Sequence, residues 1–266
     1  MSVYVGIGGW VFEAWRDNFY PKGLSQKREL EYAAKILTAI EVNGTYYGSQ
    51  KPESFARWHD EVPEDFIFAL KGPRFATNRR VLAEAGESID RFIGSGISRL
   101  KRKLGPINWQ FMATKKFDPA DFEAFLALLP KSADGPALRH AVEVRHDSFA
   151  VPEFVALCRK YNVAIIAGCD GDFPCIADIS ADFVYVRAMG TVEKEKLGYS
   201  KPTIAKWAAR AKAWEAGGAP ADLELVASMR EVGAAAKKKR DVFLFVISGF
   251  KARNPAAAQA IIAALA

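Results

Sequence analysis

Sulfur is scarce in this chain. Three cysteines, Cys158, Cys169 and Cys175, stand among 266 residues, an odd number with no zinc-ligand spacing. They read as reduced thiols of a cytosolic protein. No apolar run is long enough to span a bilayer, so no membrane partner is expected. The opening M-S-V-Y-V-G-I enters a strand without the charged-then-apolar pattern of a secretion signal, so the expected location is cytoplasmic. A dinucleotide fingerprint is also missing. The stretch G-I-G-G-W lacks the third glycine, and no acidic residue stands where the ribose would need it. Ser148 and Ser180 have no nucleophile motif around them, and Cys169 and Cys175 lack the electropositive neighbours of a reactive thiol. With no repeat, low-complexity tract or linker, residues 1–266 are expected to form a single domain.

Hydrophobic residues make up 50% of the chain, enough for a sizeable core. The 37 Lys and Arg exceed the 31 Asp and Glu, giving +6, and this permits anionic partners without requiring one. Eight β-rich runs alternate with helical periodicity: Val3–Ile7, Ala39–Asn43, Phe66–Lys71, Pro106–Phe111, His140–Arg145, Val163–Ala167, Asp182–Ala188 and Val242–Ile247. Helices are expected from a Ser25 cap to Leu37, over Pro52–Trp58, and over Ile89–Lys103. Further ones are expected from an Asp118 cap to Leu129, over Pro152–Tyr161 and Pro202–Glu215, and from an Asn254 cap to Leu265. The run from Ala234 to Arg240 reads as a solvated helix end rather than a nucleic-acid patch. Eight βα units imply a TIM-barrel-like (β/α)8 fold, a closed parallel barrel; a doubly wound open sheet is the rival.

The strands share one feature. Glu41 and Asn43 have the same parity, as do Ala69 and Lys71, Asn108 and Gln110, Glu143 and Arg145, and Tyr185 and Arg187, while the other parity is apolar. Alternation sends one parity into the barrel. The polar parity is assigned to the interior, crowded at the carboxyl ends, where barrel enzymes place their sites. Glu41, Glu143 and Asp170 supply negative charge there; Lys71, Arg145 and Arg187 supply positive charge. Opposite charges keep one another ionised in such a cup. Its cations suit an anion and a carboxylate suits a general base. The competing reading is a scaffold filled by a structural ion-pair network.

The chemistry assigns roles on this basis. Glu143 or Glu41 moves a proton, with His146 and Asp170 assisting. Lys71, Gln110, Arg145, Arg187 and Asn43 bind substrate, and the rim aromatics Trp10, Tyr46 and Tyr47 stack against a sugar or base, though core packing fits them equally well. Gly190, Thr191, Ser248, Gly249, Lys251 and Arg253 follow the last two strands, where many barrels hold phosphate, though an ordinary loop fits equally well. No spacing demands a metal.

The stretches G-I-G-G-W-V-F-E-A-W-R-D-N-F-Y-P, E-V-N-G-T-Y-Y, F-I-F-A-L-K-G-P-R-F, L-G-P-I-N-W-Q-F, V-E-V-R-H-D-S-F and F-V-Y-V-R-A-M-G follow one another along nearly the whole chain. In these, taken in order, the chain resembles the YecE-like family, domain of unknown function 72. The resemblance implies a TIM-barrel-like fold and no agreed activity or cofactor. Against the family pattern, Asn78 and Met189 stand where histidines are common. Met112 and Ala113 replace a proline pair, and Val246-Ile247-Ser248 replaces an F-N-N-like triplet. The lost histidines make metal-dependent chemistry a weaker expectation. The leading expectation is an enzyme that takes a phosphate- or sugar-bearing anion, by hydrolysis first. The alternative is a non-catalytic protein that binds nucleic acid or a small anion.

Overall fold

Eight parallel strands close into one barrel in chain order, β1 to β8, with β8 returning to β1. The computed structural model describes residues 3–135, 137–227 and 238–266. The strands are β1 (Val3–Gly8), β2 (Ala39–Val42), β3 (Ile67–Lys71) and β4 (Leu104–Gln110), then β5 (His140–Glu143), β6 (Ala164–Ala167), β7 (Phe183–Ala188) and β8 (Asp241–Val246). The helices around them include α1 (Glu29–Ala34), α2 (Gly44–Tyr47), α3 (Pro52–Glu61), α4 (Arg74–Thr77) and α5 (Gly86–Ile93). They continue with α6 (Pro119–Leu128), α7 (Pro152–Lys160), α8 (Lys201–Glu215) and α9 (Asn254–Leu265). The fold is therefore TIM-barrel-like, and the eight expected strands are the eight observed. The β6–β7 crossover, residues 168–182, carries no helix.

Period-two alternation sorts the side chains. Ile40, Val42, Phe68, Leu70, Ile107, Trp109, Val142, Val184 and Val186 join the large outer core against the helices. Ala39, Ala69, Ala141, Ala164, Ile166, Phe183, Tyr185, Phe243 and Phe245 form a separate inner cluster. Its floor is aromatic: Tyr4 stacks on Phe243 at 5.1 Å, and Phe183 meets Phe243 edge-on at 5.9 Å. Above it, four alanines on adjoining strands leave room for Tyr185 and Phe245 to fill the middle. Gly6 belongs to the same inward parity, and a Cβ there would stand 1.9 Å from the Ala39 carbonyl oxygen. Only glycine lets β1 approach β2 so closely. The middle is thus packed with apolar atoms, which separate the polar groups of the carboxyl end from the Arg139–Asp241 pair, 2.8 Å apart, at the amino end.

Several local expectations need correction. Ser25 makes no capping bond, and a short 3-10 turn precedes the six-residue α1. The span Ile89–Lys103 is two pieces, because Gly96 adopts φ 97° with Pro52 against its Cα and Lys101 turns left-handed at φ 51°. Asn254 lies inside α9, and its buried amide meets the Thr191 hydroxyl at 2.8 Å rather than capping the helix. In the run Ala234–Arg240, residues 234–237 lie outside the described residues. Arg240 is buried, with Nη1 donating to the Gly217 carbonyl at 2.9 Å, so that end of the run is not solvated.

The cysteine reading is corrected as well. Cys169 and Cys175 form a disulfide, their Cα atoms 4.6 Å apart, and Cys158 is free and buried. The loop after β6 turns back on itself between the two sulfurs, which a spacing of six residues does not disclose. The cysteine argument for a reducing compartment falls with it. No described helix is long and apolar enough to cross a membrane.

Candidate functional site

The inward parity at the carboxyl ends of β2, β3, β4, β5 and β7 converges on one guanidinium. Arg187, on β7, places Nη2 2.9 Å from Glu41 Oε1, and its Nη1 donates to Glu143 Oε2 and, at 3.3 Å, to Gln110 Oε1. Each arm of the fork thus holds a different carboxylate, one from β2 and one from β5. Tyr185, one turn of the pleat below, donates its hydroxyl to Glu41 Oε2 at 2.6 Å. Asn108 Nδ2 lies 3.4 Å from both Glu41 Oε2 and Glu143 Oε2, bridging the two acids. Arg145 closes the outer side, with Nε 2.8 Å and Nη2 2.6 Å from Glu143 Oε1.

Burial is nearly complete. Glu41 and Asn108 are fully enclosed, and Lys71, Glu143 and Arg187 show 6%, 4% and 4% of their surface. Charges so far from water persist only when paired and hydrogen-bonded. Burial alone would raise the Glu143 pKa. Arg187, then Arg145 and Lys71, outweigh burial, so it is lowered and the carboxylate stays ionised. Burial likewise works against the Arg187 charge, and Glu143 and Glu41 overcome it, leaving the pKa raised. Tyr185 is pushed well up, by burial first and then by the Glu41 charge, so it is a donor only.

Lys71 is the exception in this ring. Its Nζ donates to Gln110 Oε1 at 2.7 Å and lies 4.6 Å from the centre of the Tyr46 ring. Among the described residues it forms no ion pair with a carboxylate. Burial, then the neighbouring Arg187 charge, lowers its pKa to about 8. Within the ring, two buried polar atoms, Arg187 Nε and Asn108 Oδ1, also have no partner among the described residues.

Other expected site residues are placed differently. Asp170 accepts from the Met189 and Gly190 backbone N–H groups at 2.7 and 3.0 Å and from the Tyr199 hydroxyl at 2.5 Å. It ties the β6 loop to the β7 loop, and among the described residues its hydrogen bonds go to that loop and Tyr199 rather than to the ring. His146 caps the turn at Asp147–Phe149, with Nδ1 2.9 Å from Ser148 Oγ and 3.1 Å from its N–H. Trp10 packs edge-on against Trp58 at 5.2 Å. With Asn43, Gly44, Gln50 and Lys251 it lines a cavity of about 300 Å³ beside the mouth. The phosphate-loop candidates stitch two loops together: Thr191 donates to the Ser248 carbonyl at 2.7 Å, and Phe250 N–H donates to the Thr191 carbonyl at 2.8 Å.

Three participants carry no role in the sequence pattern alone. Asn108 and Tyr185 share the inward parity, which was signal enough to include them. Phe173 was not legible: it sits inside the disulfide loop and covers the Arg145 guanidinium at 4.4 Å. Among the described residues no three His, Cys, Asp or Glu side chains group as metal ligands.

Comparison with known proteins gives the chain a family and relatives of the same fold. A family described as "Protein of unknown function DUF72" matches residues 4–266. The UPF0759 protein YecE of Escherichia coli K12 is 29% identical over 150 residues, covering 55% of this chain and 50% of that protein. The chain thus spans about half the length of the curated relatives it matches. A DUF72 family protein from Thermotoga maritima superposes with a TM-score of 0.70 at 21% identity, covering 98% of this chain and 97% of that one. One from Enterococcus faecalis V583 gives 0.69 at 16% identity, covering 99% and 95%. At these identities the likeness extends to the fold alone.

Proposed function

The chain belongs to the DUF72 family, and from that premise we propose that the carboxyl-end mouth of its barrel binds a small anion, phosphate- or sugar-acid-bearing. One observation carries the reading: Lys71 is a buried ammonium whose only hydrogen-bond acceptor among the described residues is the neutral Gln110. Within the ring, Lys71, Arg145 and Arg187 face Glu41 and Glu143, so one positive charge is left over. An unbalanced charge in a low-dielectric cup attracts a counter-ion more strongly than the same charge on the surface. Arg187 Nε adds an unused donor. Arg145 is the most open member, its side chain 22% exposed, and gives the anion a way in.

Hydrolysis of a phosphate ester or glycosidic bond is the first reaction to try. Glu143 is ionised and so is able to accept a proton. Its two guanidinium partners weaken it as a base, and the anion reading does not depend on it. Calorimetric titration with inorganic phosphate tests the binding. Arg145→Ala and Lys71→Gln should each weaken it by tenfold or more, the worth of roughly one charge-assisted hydrogen bond. Equal affinity in wild type and both variants would overturn the reading.

A second reading, a nucleic-acid strand on the rim, draws support from a different feature. The exposed Tyr47, Phe75, Met112, Val192, Leu197 and Phe250 all stand in the segments that follow strands, Tyr47 and Phe75 on the short helices α2 and α4. With the net charge of +6 they offer stacking surface and phosphate contacts. Affinity for a single strand would then fall steeply with salt, and a flat salt dependence would remove this alternative.

A further inference from the structure

Lys71 differs from the other ring cations in more than its lack of a carboxylate. Its Nζ and Arg187 Nη1 converge on the same atom, Gln110 Oε1, at 2.7 and 3.3 Å. Two cations share one neutral oxygen inside the barrel. The ammonium lies at the carboxyl end of β3, pointing inward with 6% of its surface open. A lysine desolvated beside other cations is a recurrent route to a nucleophilic amine, because both effects favour the neutral form. Arg145 has Nε and Nη2 committed to Glu143, while Nη1 has no protein acceptor among the described residues. An open guanidinium N–H edge and a crowded amine thus stand in one mouth, just past the end of β5 and at the end of β3.

We propose that Lys71 captures the carbonyl group of a small oxo-acid as an imine, with the acid's carboxylate on Arg145. The inference rests on the anion reading above and extends it to a substrate class. The neutral amine attacks the carbonyl carbon, forming the N–C bond. The carbonyl oxygen takes up protons and departs as water, leaving an iminium. Ammonium plus carbonyl gives iminium plus water, so charge and atoms balance without any other reagent. The iminium then draws electrons from the neighbouring carbon, the step that proton exchange, aldol cleavage and decarboxylation share.

Reductive trapping tests this. The protein is incubated with pyruvate and cyanoborohydride, which reduces the iminium to a stable secondary amine, and the modified lysine is located by peptide mass analysis. Lys71 should carry the adduct ahead of every surface lysine, and Lys71→Arg should lose it while keeping the wild-type fold by circular dichroism. At pH 8 roughly a hundredfold more of this amine is neutral than of an ordinary lysine. Labelling should rise with pH and level off above about 8, set by the facing Arg187, Arg145, Glu41 and Glu143 charges. Labelling spread over surface lysines with Lys71 unmodified overturns the proposal. Hydroxyacetone, a neutral carbonyl of similar size, separates the two readings. If it labels Lys71 as fast as pyruvate does, the carboxylate contact with Arg145 is absent and the oxo-acid proposal falls, while phosphate titration still decides the anion reading. If phosphate binds through Arg145 but neither carbonyl labels Lys71, the anion reading stands and this inference falls.

Discussion

Arg187 on β7 reaches across the barrel to Glu41 on β2, Nη2 to Oε1 at 2.9 Å, between residues 146 positions apart. The contact exists only because the sheet closes. With Glu143 on the other arm, the guanidinium keeps two buried carboxylates from facing each other alone. Arg187→Met is therefore expected to destabilise the fold by roughly 3–5 kcal/mol, the usual cost of removing one partner from a buried pair. Chemical denaturation measures it, and the denaturant slope should be unchanged. Adding Glu143→Gln to Arg187→Met should recover part of the loss, because one stranded charge is then gone. A double variant less stable than the single would show that the acids do not repel across the mouth.

Lys71 gives a pH dependence of defined sign. Its folded pKa is lowered from 10.5 to about 8. Between those values the unfolded chain binds more protons than the folded one, so stability rises with pH across the window. Below pH 8 the full cost of burying the ammonium is present, about 3 kcal/mol on a pKa-difference basis. Lys71→Met removes that cost along with the Gln110 contact. The variant is expected to equal or exceed wild type at pH 7, and the difference should shrink from pH 8 to 10.5. A difference that stays constant across the window would mean that Lys71 titrates normally.

Those two expectations mark what was legible in the sequence. The inward parity was written as polar residues alternating with Ile40, Val42, Leu70, Val142, Val184 and Val186, and a barrel turns that period into a ring. Which acid meets which cation was not written. Glu41 pairs with Arg187 rather than with Lys71 because the barrel's stagger sets the depth of each strand end. Asp170 illustrates the limit. It stands just after β6, where a catalytic acid would stand, yet the loop's return directs it onto the backbone N–H groups of Met189 and Gly190. The sequence gives the order of residues along that loop, not the disulfide that folds it back.

His140 stands outside the ring, on the outward parity of β5. Its Nδ1 accepts from the Trp109 indole N–H at 3.1 Å, so Nε2 carries the proton and donates to the Pro130 carbonyl at 2.7 Å. Burial lowers its pKa from 6.5 to about 4. The unfolded chain therefore takes up a proton between pH 6.5 and 4 that the folded chain refuses, and stability falls as the pH drops through that range. The loss should approach about 3 kcal/mol near pH 4. His140→Gln has no charge to acquire, so it should start less stable at pH 7 and lose less on acidification. Parallel stability curves for the two proteins from pH 7 to 4 would refute this account.

The Cys169–Cys175 bridge holds a second contact with the ring in place. The loop it closes carries Phe173, on the Arg145 guanidinium at 4.4 Å, and Asp170, on the β7 loop. Closing so short a loop is worth roughly 2 kcal/mol by the chain-entropy account. The local effect should exceed the global one. With both cysteines replaced by serine, the Met189 and Gly190 amides lose an acceptor held by covalent closure, and their hydrogen exchange should quicken by tenfold or more while the β1 and β8 amides stay protected. Arg145, freed from Phe173, should then bind phosphate with altered affinity although no ring residue has changed. If Met189 and Gly190 exchange at the wild-type rate in the serine variant, Asp170 and its backbone partners hold the loop unaided, and the disulfide has no part in shaping the mouth.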